Sequence, residues 1–447
     1  MKSSVPTLLI IILAAWCDMP ATKSQKKNDT KSYKPIPVAL VPASFPVNFA
    51  LTTVGKQQYV AYFDSAHQMT IAQRKLTGKK WRFQPLNSKV PWDSHNYLSM
   101  EVDKEGIIHL VGNMHSSPLV YFRSTRPYDV TSMQAIHKMT GSEEDVTTYP
   151  EFMHSPDGDL VFHCRYGRSG SGYEVYNIWN YETHQWERLL DKPLTDGLGK
   201  RNAYMQGPIL GPDGYYHLIW VWRDSPDCST NHTLSHARSK DLLNWESVRG
   251  EKLPLPITLA NKETYVDTTA VKGGLINIGI KIGFDSKGQL LIGYHKYDAN
   301  GNTQLFLARF GNGQWESKQV TNWNYRWDFK GWGTIVNELL IDSPKPAVQT
   351  GQLVFGYHHY QWGDGQITVN ETSFEPISSG PVTTDYPKEL DVVRSNFKGM
   401  LVHKVFGKGT APKGQKYLLR WEALPPNRDQ KPQGTLPEPW MLEVVKY

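Results

Sequence analysis

The sequence predicts an all-β protein in which residues 37–447 form a single domain, a seven-bladed β-propeller. Glycine turns recur along the chain, each followed by a short apolar strand, and tryptophans recur at a later point in several repeats. Aromatic residues make up 12% of the chain and glycines number 36, a composition that favours strands and tight turns over helices. No long amphipathic helix or heptad pattern is present.

The glycine turns define the repeat. They lie in the segments VGKQQYVAYF (Gly55), KEGIIHLVGNMH (Gly106), PDGDLVFHCR (Gly158), PDGYYHLIWVWR (Gly214), SKGQLLIGYHK (Gly288), TGQLVFGYHHY (Gly351) and KGQKYLLRWE (Gly414). The intervals are 51, 52, 56, 74, 63 and 63 residues. Each glycine can supply the positive φ of a hairpin turn. Seven turns predict seven sheets, although the longest interval leaves six or eight blades open.

Tryptophans mark a late strand in four of these repeats. Trp81, Trp186, Trp245 and Trp315 follow their glycines by 26 to 31 residues. A glycine-turn hairpin with a closing tryptophan strand fits a four-stranded sheet repeated about an axis. A β-sandwich would need about half as many strands and a parallel β-helix far shorter repeats. The last strand, WMLEVVKY, and the segment near 37–50 could close the ring.

The N-terminal residues predict export. MKSSVPTLLIIILAAWC has one lysine, an apolar stretch and then small residues, the order found in a secretory signal peptide. We therefore expect a signal peptide over 1–22, a polar tether over 23–36, and a secreted or cell-surface protein. Cys17 could carry a lipid anchor, although Trp16 fits poorly before such a cleavage site.

The net charge predicts an acidic partner. The chain carries a formal charge of +6 at pH 7. For an exported protein, an anionic polysaccharide is a better match than nucleic acid. We expect the protein to act as a monomer.

Charged and polar side chains recur seven to nine residues after the turn glycines, where the second strand of each unit ends. They are Asp64, His115, Arg165, Arg223, Lys296 and His359, with Trp421 and Glu422 in the last unit. Equivalent strand ends meet at one mouth of a propeller, so we expect a ring of positive charge there. The planar guanidinium of arginine suits a carboxylate or a sulfate. His109 and His217 instead lie three residues after their glycines, a repeated position that indicates a structural role.

A second polar set precedes three of the glycine hairpins. The segment PWDSHNYLSM contains His95 and Asn96, TTYPEF contains Tyr149, and KRNAYMQGP contains Arg201 and Tyr204. Neither set contains an obvious pair of carboxylates, which glycoside hydrolysis usually requires. A sialidase-like hydrolase would share the tyrosine, but the turns lack its usual Ser/Thr-containing box.

Histidine, tyrosine and arginine without paired carboxylates suit β-elimination from a uronic acid. Arg165 could neutralise the substrate carboxylate, which makes the proton at C5 removable. His115 or Tyr149 could take that proton, and an acid would protonate the departing oxygen at C4. This chemistry requires no metal.

The segments SHNYLSMEV, GNMHSSPLVYFRS, TTYPEF, FHCRYGRSGSG and RNAY resemble the BNR-repeat propeller lyases, especially the ulvan lyases of marine bacteria. The resemblance implies a lyase that acts on a sulfated rhamnose–uronate polymer. It implies that Arg165 neutralises the carboxylate, that His115 and Tyr149 serve as base and acid in either order, and that His95 and Tyr204 complete the site. Arg223, Asn96 and Arg201 would contact substrate.

A further constellation lies in DCSTNHTLSHARS. Cys228, His232 and His236, together with His217 on the preceding strand, would make a closed four-ligand zinc site. Related lyases carry a structural zinc, so the resemblance also favours this interpretation over a loop of unrelated polar residues. Two further functions stay open: a rhamnose–glucuronate lyase for plant or gum glycans, and a surface propeller that binds glycans without cleaving them.

Overall fold

The computed structural model describes residues 33–447. The predicted signal peptide, Cys17 and most of the predicted tether lie outside the described residues. Within them the chain forms 32 β-strands, five short 3₁₀ helices and no α-helix, which confirms the all-β prediction. The described residues contain no helix with the length and apolar character needed to cross a membrane.

The strands follow one another with short connections. The first sixteen are β1 Ile36–Val41, β2 Ala50–Val54, β3 Gln57–Phe63, β4 Gln68–Lys75, β5 Arg82–Lys89, β6 Leu98–Val102, β7 Ile108–Gly112, β8 His115–Ser117, β9 Tyr121–Ser124, β10 Met133–Ile136, β11 Thr147–His154, β12 Leu160–Tyr166, β13 Tyr173–Asn180, β14 Gln185–Arg188, β15 Asn202–Leu210 and β16 Tyr216–Arg223.

The second sixteen are β17 Asn231–Ser239, β18 Trp245–Glu246, β19 Tyr265–Asp267, β20 Ile280–Phe284, β21 Leu290–Tyr297, β22 Thr303–Gly311, β23 Gln314–Gln319, β24 Leu339–Ile341, β25 Lys345–Pro346, β26 Gln352–His359, β27 Gly363–Asn370, β28 Pro376–Gly380, β29 Leu401–Phe406, β30 Lys408–Thr410, β31 Tyr417–Ala423 and β32 Trp440–Lys446. The 3₁₀ helices are Val130–Ser132, Cys228–Thr230, Lys262–Thr264, Asn277–Gly279 and Lys388–Asp391.

These strands form seven separate sheets within residues 33–447. Sheet 1 holds β2–β5 with β30, sheet 2 holds β6, β7, β9 and β10, sheet 3 holds β8 and β11–β14, and sheet 4 holds β15–β19. Sheet 5 holds β20–β23, sheet 6 holds β24–β28, and sheet 7 holds β29, β31, β32 and β1. The paired strands are antiparallel, except that β30 runs parallel to β2.

Each predicted glycine turn belongs to a different sheet. All seven glycines have φ between 57° and 82°, and each lies one to three residues before the second main strand of its sheet: β3, β7, β12, β16, β21, β26 or β31. Left-handed backbone of this kind is open to glycine at no steric cost. Three of the four late tryptophans lie in fourth strands as predicted, Trp186 in β14, Trp245 in β18 and Trp315 in β23. Trp81 lies one residue before β5.

The first and last strands close the architecture. β1 pairs antiparallel with β32, with Val41 opposite Trp440 and Ile36 opposite Val444. The predicted closing segments are thus partners in sheet 7, although the N-terminal strand begins at Ile36, one residue before the predicted boundary.

The core lies between neighbouring sheets. Leu51, Leu110 and Leu442, from sheets 1, 2 and 7, share one buried cluster. Val111 of sheet 2 packs in a cluster with Phe162 of sheet 3, and similar clusters join sheets 3 and 4, 4 and 5, and 5 and 6. Each such side chain contributes about 1.5–3 kcal/mol when fully buried, so the sheets are held by the faces they turn to one another.

Candidate active site

The spacing predicted that His115 ends the second strand of its own sheet. The structure places it elsewhere. β7 stops at Gly112 and His115 begins the short strand β8, which pairs with β11 so that His115 lies opposite Thr148. Asn113 and Ser116, on either side, both have positive φ. Strained backbone of this kind persists only where the surroundings hold it. The chain thus leaves sheet 2 after Gly112 and carries His115 onto the edge of sheet 3.

Asp93 joins the two predicted histidines. Its carboxylate contacts Nδ1 of His95 at 2.8 Å and Nδ1 of His115 at 2.5 Å, one oxygen for each ring. The rings stack with centroids 4.0 Å apart. Burial works to raise the pKa of Asp93, but hydrogen bonds and charge from His115 and His95 hold it well below its usual range. Asp93 is therefore a carboxylate, and it orients both imidazole rings through their Nδ1 atoms.

His95 has a second carboxylate beside the same ring nitrogen, Nδ1. Its Nδ1 lies 3.4 Å from Asp429 and 3.1 Å from Oγ1 of Thr334, which itself donates to Asp429 at 2.7 Å. Burial acts to lower the pKa of His95, but the carboxylates of Asp429 and Asp93 hold it well above its usual value. His95 is therefore an imidazolium at neutral pH.

Tyr149 is aimed by a bulge in β11. The register of β11 against β12 shifts between Thr148 and Glu151, and Tyr149 has a φ of 58°. A bulge inserts an extra residue and redirects a side chain, and such features are common next to active sites. The ring of Tyr149 lies 6.1 Å from His95 on one side and 6.1 Å from Tyr204 on the other. His115, His95, Tyr149 and Tyr204 therefore form a row of four rings.

Two arginines hold the far end of this row. Arg223 lies 3.8 Å from the ring centre of Tyr204, and Arg165 donates to the Tyr204 hydroxyl at 3.3 Å. Ser169 shares a hydrogen bond of 2.5 Å with the same hydroxyl. Burial works to raise the pKa of Tyr204, but Arg223 and Arg165 outweigh it and the pKa is lowered. The site thus stabilises negative charge at this oxygen.

Arg165 lies beneath the tyrosines and has no solvent-exposed surface. Its guanidinium is 4.9 Å from the ring centre of Tyr149 and donates to Thr148 at 3.0 Å. Glu174 faces it across β12 and β13, but burial raises the pKa of Glu174 to about 8, so that carboxyl is mostly protonated at neutral pH. Glu174 therefore does not neutralise the positive charge of Arg165, which acts on the site through the rings of Tyr149 and Tyr204.

Two of the predicted substrate contacts, Asn96 and Arg201, make local polar contacts in the structure. Asn96 is buried and its amide donates to the carbonyl of Asp93 at 3.1 Å, so it shapes the loop that carries Asp93. Arg201 pairs with Asp224 at 2.9 Å and lines a shallow pocket of about 340 Å³ that contains none of the four rings.

The predicted ring of positive charge covers only part of the strand ends. Lys296 is paired with Asp267 at 2.6 Å. His359 is buried, and burial lowers its pKa to about 4, so its ring is neutral at physiological pH. Positive charge is therefore concentrated around sheets 2 to 4.

The predicted zinc ligands do not assemble. His217 and His236 meet, with Nδ1 and Nε2 at 3.1 Å, but Nε2 of His232 lies against Asp224 at 3.1 Å. Cys228 packs in the apolar cluster of sheets 5 and 6, and burial raises the pKa of its thiol, which disfavours the thiolate that zinc requires. Within residues 33–447, the one group of three or more side chains close enough to share an ion is Asp93, His95, His115 and Asp429. The four predicted donors therefore do not fit a zinc site.

Several residues of the site were missed from the sequence. Asp93 could have been noticed, since it stands two residues before His95 and its carboxylate accepts the His95 backbone N–H at 2.9 Å, a common turn pattern. Thr334 and Asp429 gave no such indication, because they lie 239 and 334 residues from His95 along the chain.

Comparison with known proteins agrees with the resemblance seen in the sequence. The model of the BNR repeat-containing family matches residues 57–323. An ulvan lyase (PL25) of Pseudoalteromonas sp. strain PLSV is 24% identical over 229 residues, 44% of this chain and 45% of the relative. The short isoform of an ulvan lyase from Alteromonas sp. strain LOR is 25% identical over 167 residues, 33% of this chain and 31% of the relative. The chain thus matches less than half the length of these curated relatives.

Two solved structures share the fold over most of the chain. Polysaccharide lyase Uly1 superposes with a TM-score of 0.60 at 15% identity, covering 92% of this chain and 98% of Uly1. A PL25 ulvan lyase bound to -[GlcA(1-4)Rha3S]- superposes with a TM-score of 0.59 at 14% identity, covering 92% and 95%. At these identities the match establishes a common architecture.

Proposed function

Because the chain belongs to the BNR repeat-containing family, whose model spans residues 57–323, we propose that it is a polysaccharide lyase whose seven sheets are the blades of a propeller. Its substrate is ulvan, and it cleaves the bond to the C4 oxygen of a uronate by β-elimination. Both curated relatives are named ulvan lyases, and one of the similar structures holds a glucuronate–rhamnose sulfate fragment.

The observation that carries this proposal is the row of four rings with carboxylates on one end and arginines on the other. Asp93 and Asp429 are both engaged with His95, and the oxygens they offer lie within 4.8 Å of each other. A glycosidase needs its two carboxyl groups about 5–9.5 Å apart, on either side of the scissile bond. The two aspartates of this site therefore suit the orientation of histidines better than hydrolysis.

Positive charge around the rings prepares the substrate for proton abstraction. The uronate carboxylate binds over Tyr149 and Tyr204, where the His95 imidazolium and the buried Arg165 guanidinium supply positive charge. This charge stabilises the enolate that forms when the C5 proton leaves. Arg165 acts from beneath the rings, since it has no exposed surface.

His115 and Tyr149 carry the proton transfers. Asp93 accepts the Nδ1–H of His115, which leaves a lone pair at Nε2 for the C5 proton. The C4–O bond then breaks, and Tyr149 gives its hydroxyl proton to the departing oxygen. The products are an unsaturated uronate and a new reducing end, and proton exchange with water restores both side chains.

One assay separates this function from its alternatives. The protein is incubated with ulvan and, separately, with gum arabic while the ultraviolet absorbance of unsaturated uronate and the number of reducing ends are followed. We expect both to rise together on ulvan. A rise only on gum arabic would indicate a rhamnose–glucuronate lyase, and reducing ends without absorbance would indicate hydrolysis. Binding without either signal would indicate a glycan-binding protein and would overturn the proposal.

A further inference from the structure

A second cluster of rings lies away from the site, at the turn that joins β26 to β27 in sheet 6. Trp362, at the tip of this turn, stacks on His359 with centroids 3.8 Å apart and planes inclined by 23°. Trp323 and Tyr325 approach the same indole at 5.3 and 6.0 Å. The proposed lyase chemistry uses none of these residues.

Trp362 is a fixed ring with an open face. His359 beneath it has no exposed surface, while Trp362 itself is 46% exposed and its neighbour Tyr360 is 70% exposed. Because one face of the indole is covered by a buried ring and its edge by Trp323, the exposed part is the opposite face. A tryptophan held in this way loses little conformational freedom when a flat ligand stacks on it.

The segment between β23 and β24 connects this ring cluster to the candidate active site. Its first part supplies Tyr325 to the cluster, and Thr334 contacts His95 at 3.1 Å. Its last residue before β24, Glu338, accepts the backbone N–H of Tyr360 at 2.7 Å. The nine Cα-to-Cα steps from Tyr325 to Thr334 span at most about 30 Å when extended. The cluster is therefore within reach of a single polymer chain bound at the site.

A second exposed tryptophan lies within this segment. Trp332 is 63% exposed and stands two residues before Thr334. Its carbonyl accepts a hydrogen bond of 2.9 Å from Arg428, which lies next to Asp429 in the C-terminal loop. The backbone of Trp332 therefore lies in the segment that supplies Thr334 to His95, and it is hydrogen-bonded to the loop that supplies Asp429.

We infer that Trp332 and Trp362 form a sugar-stacking track that binds the polysaccharide outside the cleavage site. The electron-rich face of an indole attracts the C–H groups of a pyranose ring, and the methyl-bearing face of a 6-deoxyhexose offers the most apolar surface of this kind. Two separate indole faces are too small for a stable protein interface, which needs about 800 Å² on each partner. The identity of the sugar rests on the proposed function, but the stacking track does not.

The test compares Trp362→Ala and Trp332→Ala with Val348→Ala. Val348 is fully exposed and precedes Gly351, at the opposite end of β26 from His359, so it controls for loss of an exposed apolar side chain. Retention of each folded variant, made in the His115→Ala background, in gels containing ulvan measures binding without cleavage. We expect each tryptophan variant to bind about tenfold more weakly, Val348→Ala to bind normally, and Trp362→Phe to recover most of the binding.

Kinetics with long and short substrates locate the track. On ulvan polymer, the tryptophan variants should raise KM about tenfold with kcat unchanged, whereas on tetrasaccharides they should match the unmodified protein. Unchanged gel retention and KM, an equal loss on tetrasaccharides, or a change of oligomeric state without a change in retention would each overturn the inference. Absence of unsaturated uronate from every polymer, with weakened retention of the variants, would defeat the proposed function and leave the track standing.

Discussion

Two histidine–aspartate clusters come from one stretch of chain and differ in almost every physical respect. His109, in β7, has its Nε2 3.2 Å from Asp103, and neither side chain is exposed. His115, six residues later, has its Nδ1 2.5 Å from Asp93, and the side chains are 28% and 16% exposed. The His109–Asp103 pair therefore lies in the core, whereas the chemically similar His115–Asp93 pair lies in a site open to solvent.

Burial and the number of carboxylates account for the difference. Burial lowers the pKa of His109, and the single Asp103 does not offset it; the other ring nitrogen of His109 bonds the Tyr121 hydroxyl at 2.7 Å. In the site, Asp93 and Asp429 overcome the burial of His95 and raise its pKa. Here the histidine with two acidic partners has a raised pKa, and the histidine with one acidic partner has a lowered pKa.

The largest expected effect is the loss of activity in His115→Ala. Removal of a positioned base costs about 10²–10⁴-fold in kcat, and the partly exposed side chain leaves no large cavity, so the thermal unfolding temperature should change little. The measurement is the rate of unsaturated uronate formation on ulvan. A variant with near-normal kcat would remove His115 from the mechanism.

Asp93→Asn tests whether the shared carboxylate orients both histidines. The amide cannot accept from both Nδ1 atoms and carries no charge, so we expect kcat to fall about 100-fold or more. Asp103→Asn, the matching change in the core cluster, should leave kcat of the folded protein unchanged. Equal kcat losses in the two variants would contradict a specific role of Asp93 in orienting the catalytic histidines.

His109→Ala should affect stability instead of activity. The substitution leaves a cavity and strips a buried partner from Asp103 and from Tyr121, which together cost about 2–5 kcal/mol in the free energy of unfolding. Denaturant unfolding measures this loss, and kcat of the folded fraction is the control. A loss within the error of the method would mean that the core cluster is not structural.

The two clusters should titrate on opposite sides of the ordinary histidine pKa of 6.5. The raised pKa of His95 means that its contribution to stability is full below pH 6.5 and is lost as the pH rises through the folded value. For His109 the sign is reversed, and stability is lost as the pH falls below 6.5. NMR titration of the imidazole nitrogens should show His95 protonated and His109 neutral at pH 7, and Asp429→Asn should lower the His95 midpoint.

The smallest expected effect is that of metal removal. His217 contacts His236, but His232 contacts Asp224 and Cys228 packs in an apolar cluster. Treatment with a chelator should therefore leave the thermal unfolding temperature unchanged. Elemental analysis of the purified protein provides the second measurement. A stoichiometric zinc ion whose removal lowers the unfolding temperature would restore the predicted site.

The sequence indicated both the four rings and their two arginines. Their residue types suit proton abstraction beside a carboxylate, and their positions relative to the turn glycines placed them on successive units. It did not indicate that Arg165 would lie under Tyr149 and Tyr204, nor that Asn96 would serve the Asp93 loop. Burial and side-chain direction depend on the bulge in β11 and on packing between sheets. Neither the bulge nor this packing can be predicted from the periodicity of the sequence.

The all-β class, the seven glycine-turn hairpins and the closing strand pair could be predicted from the sequence, because glycines with positive φ and apolar strands are local requirements of every repeat. The distribution of charge around the site instead depends on tertiary contacts. The tertiary structure brought Thr334 and Asp429 from distant loops onto His95, moved His115 to the edge of sheet 3, and separated the predicted zinc donors. These outcomes follow from contacts between residues far apart in the chain, for which spacing within a segment carries no information.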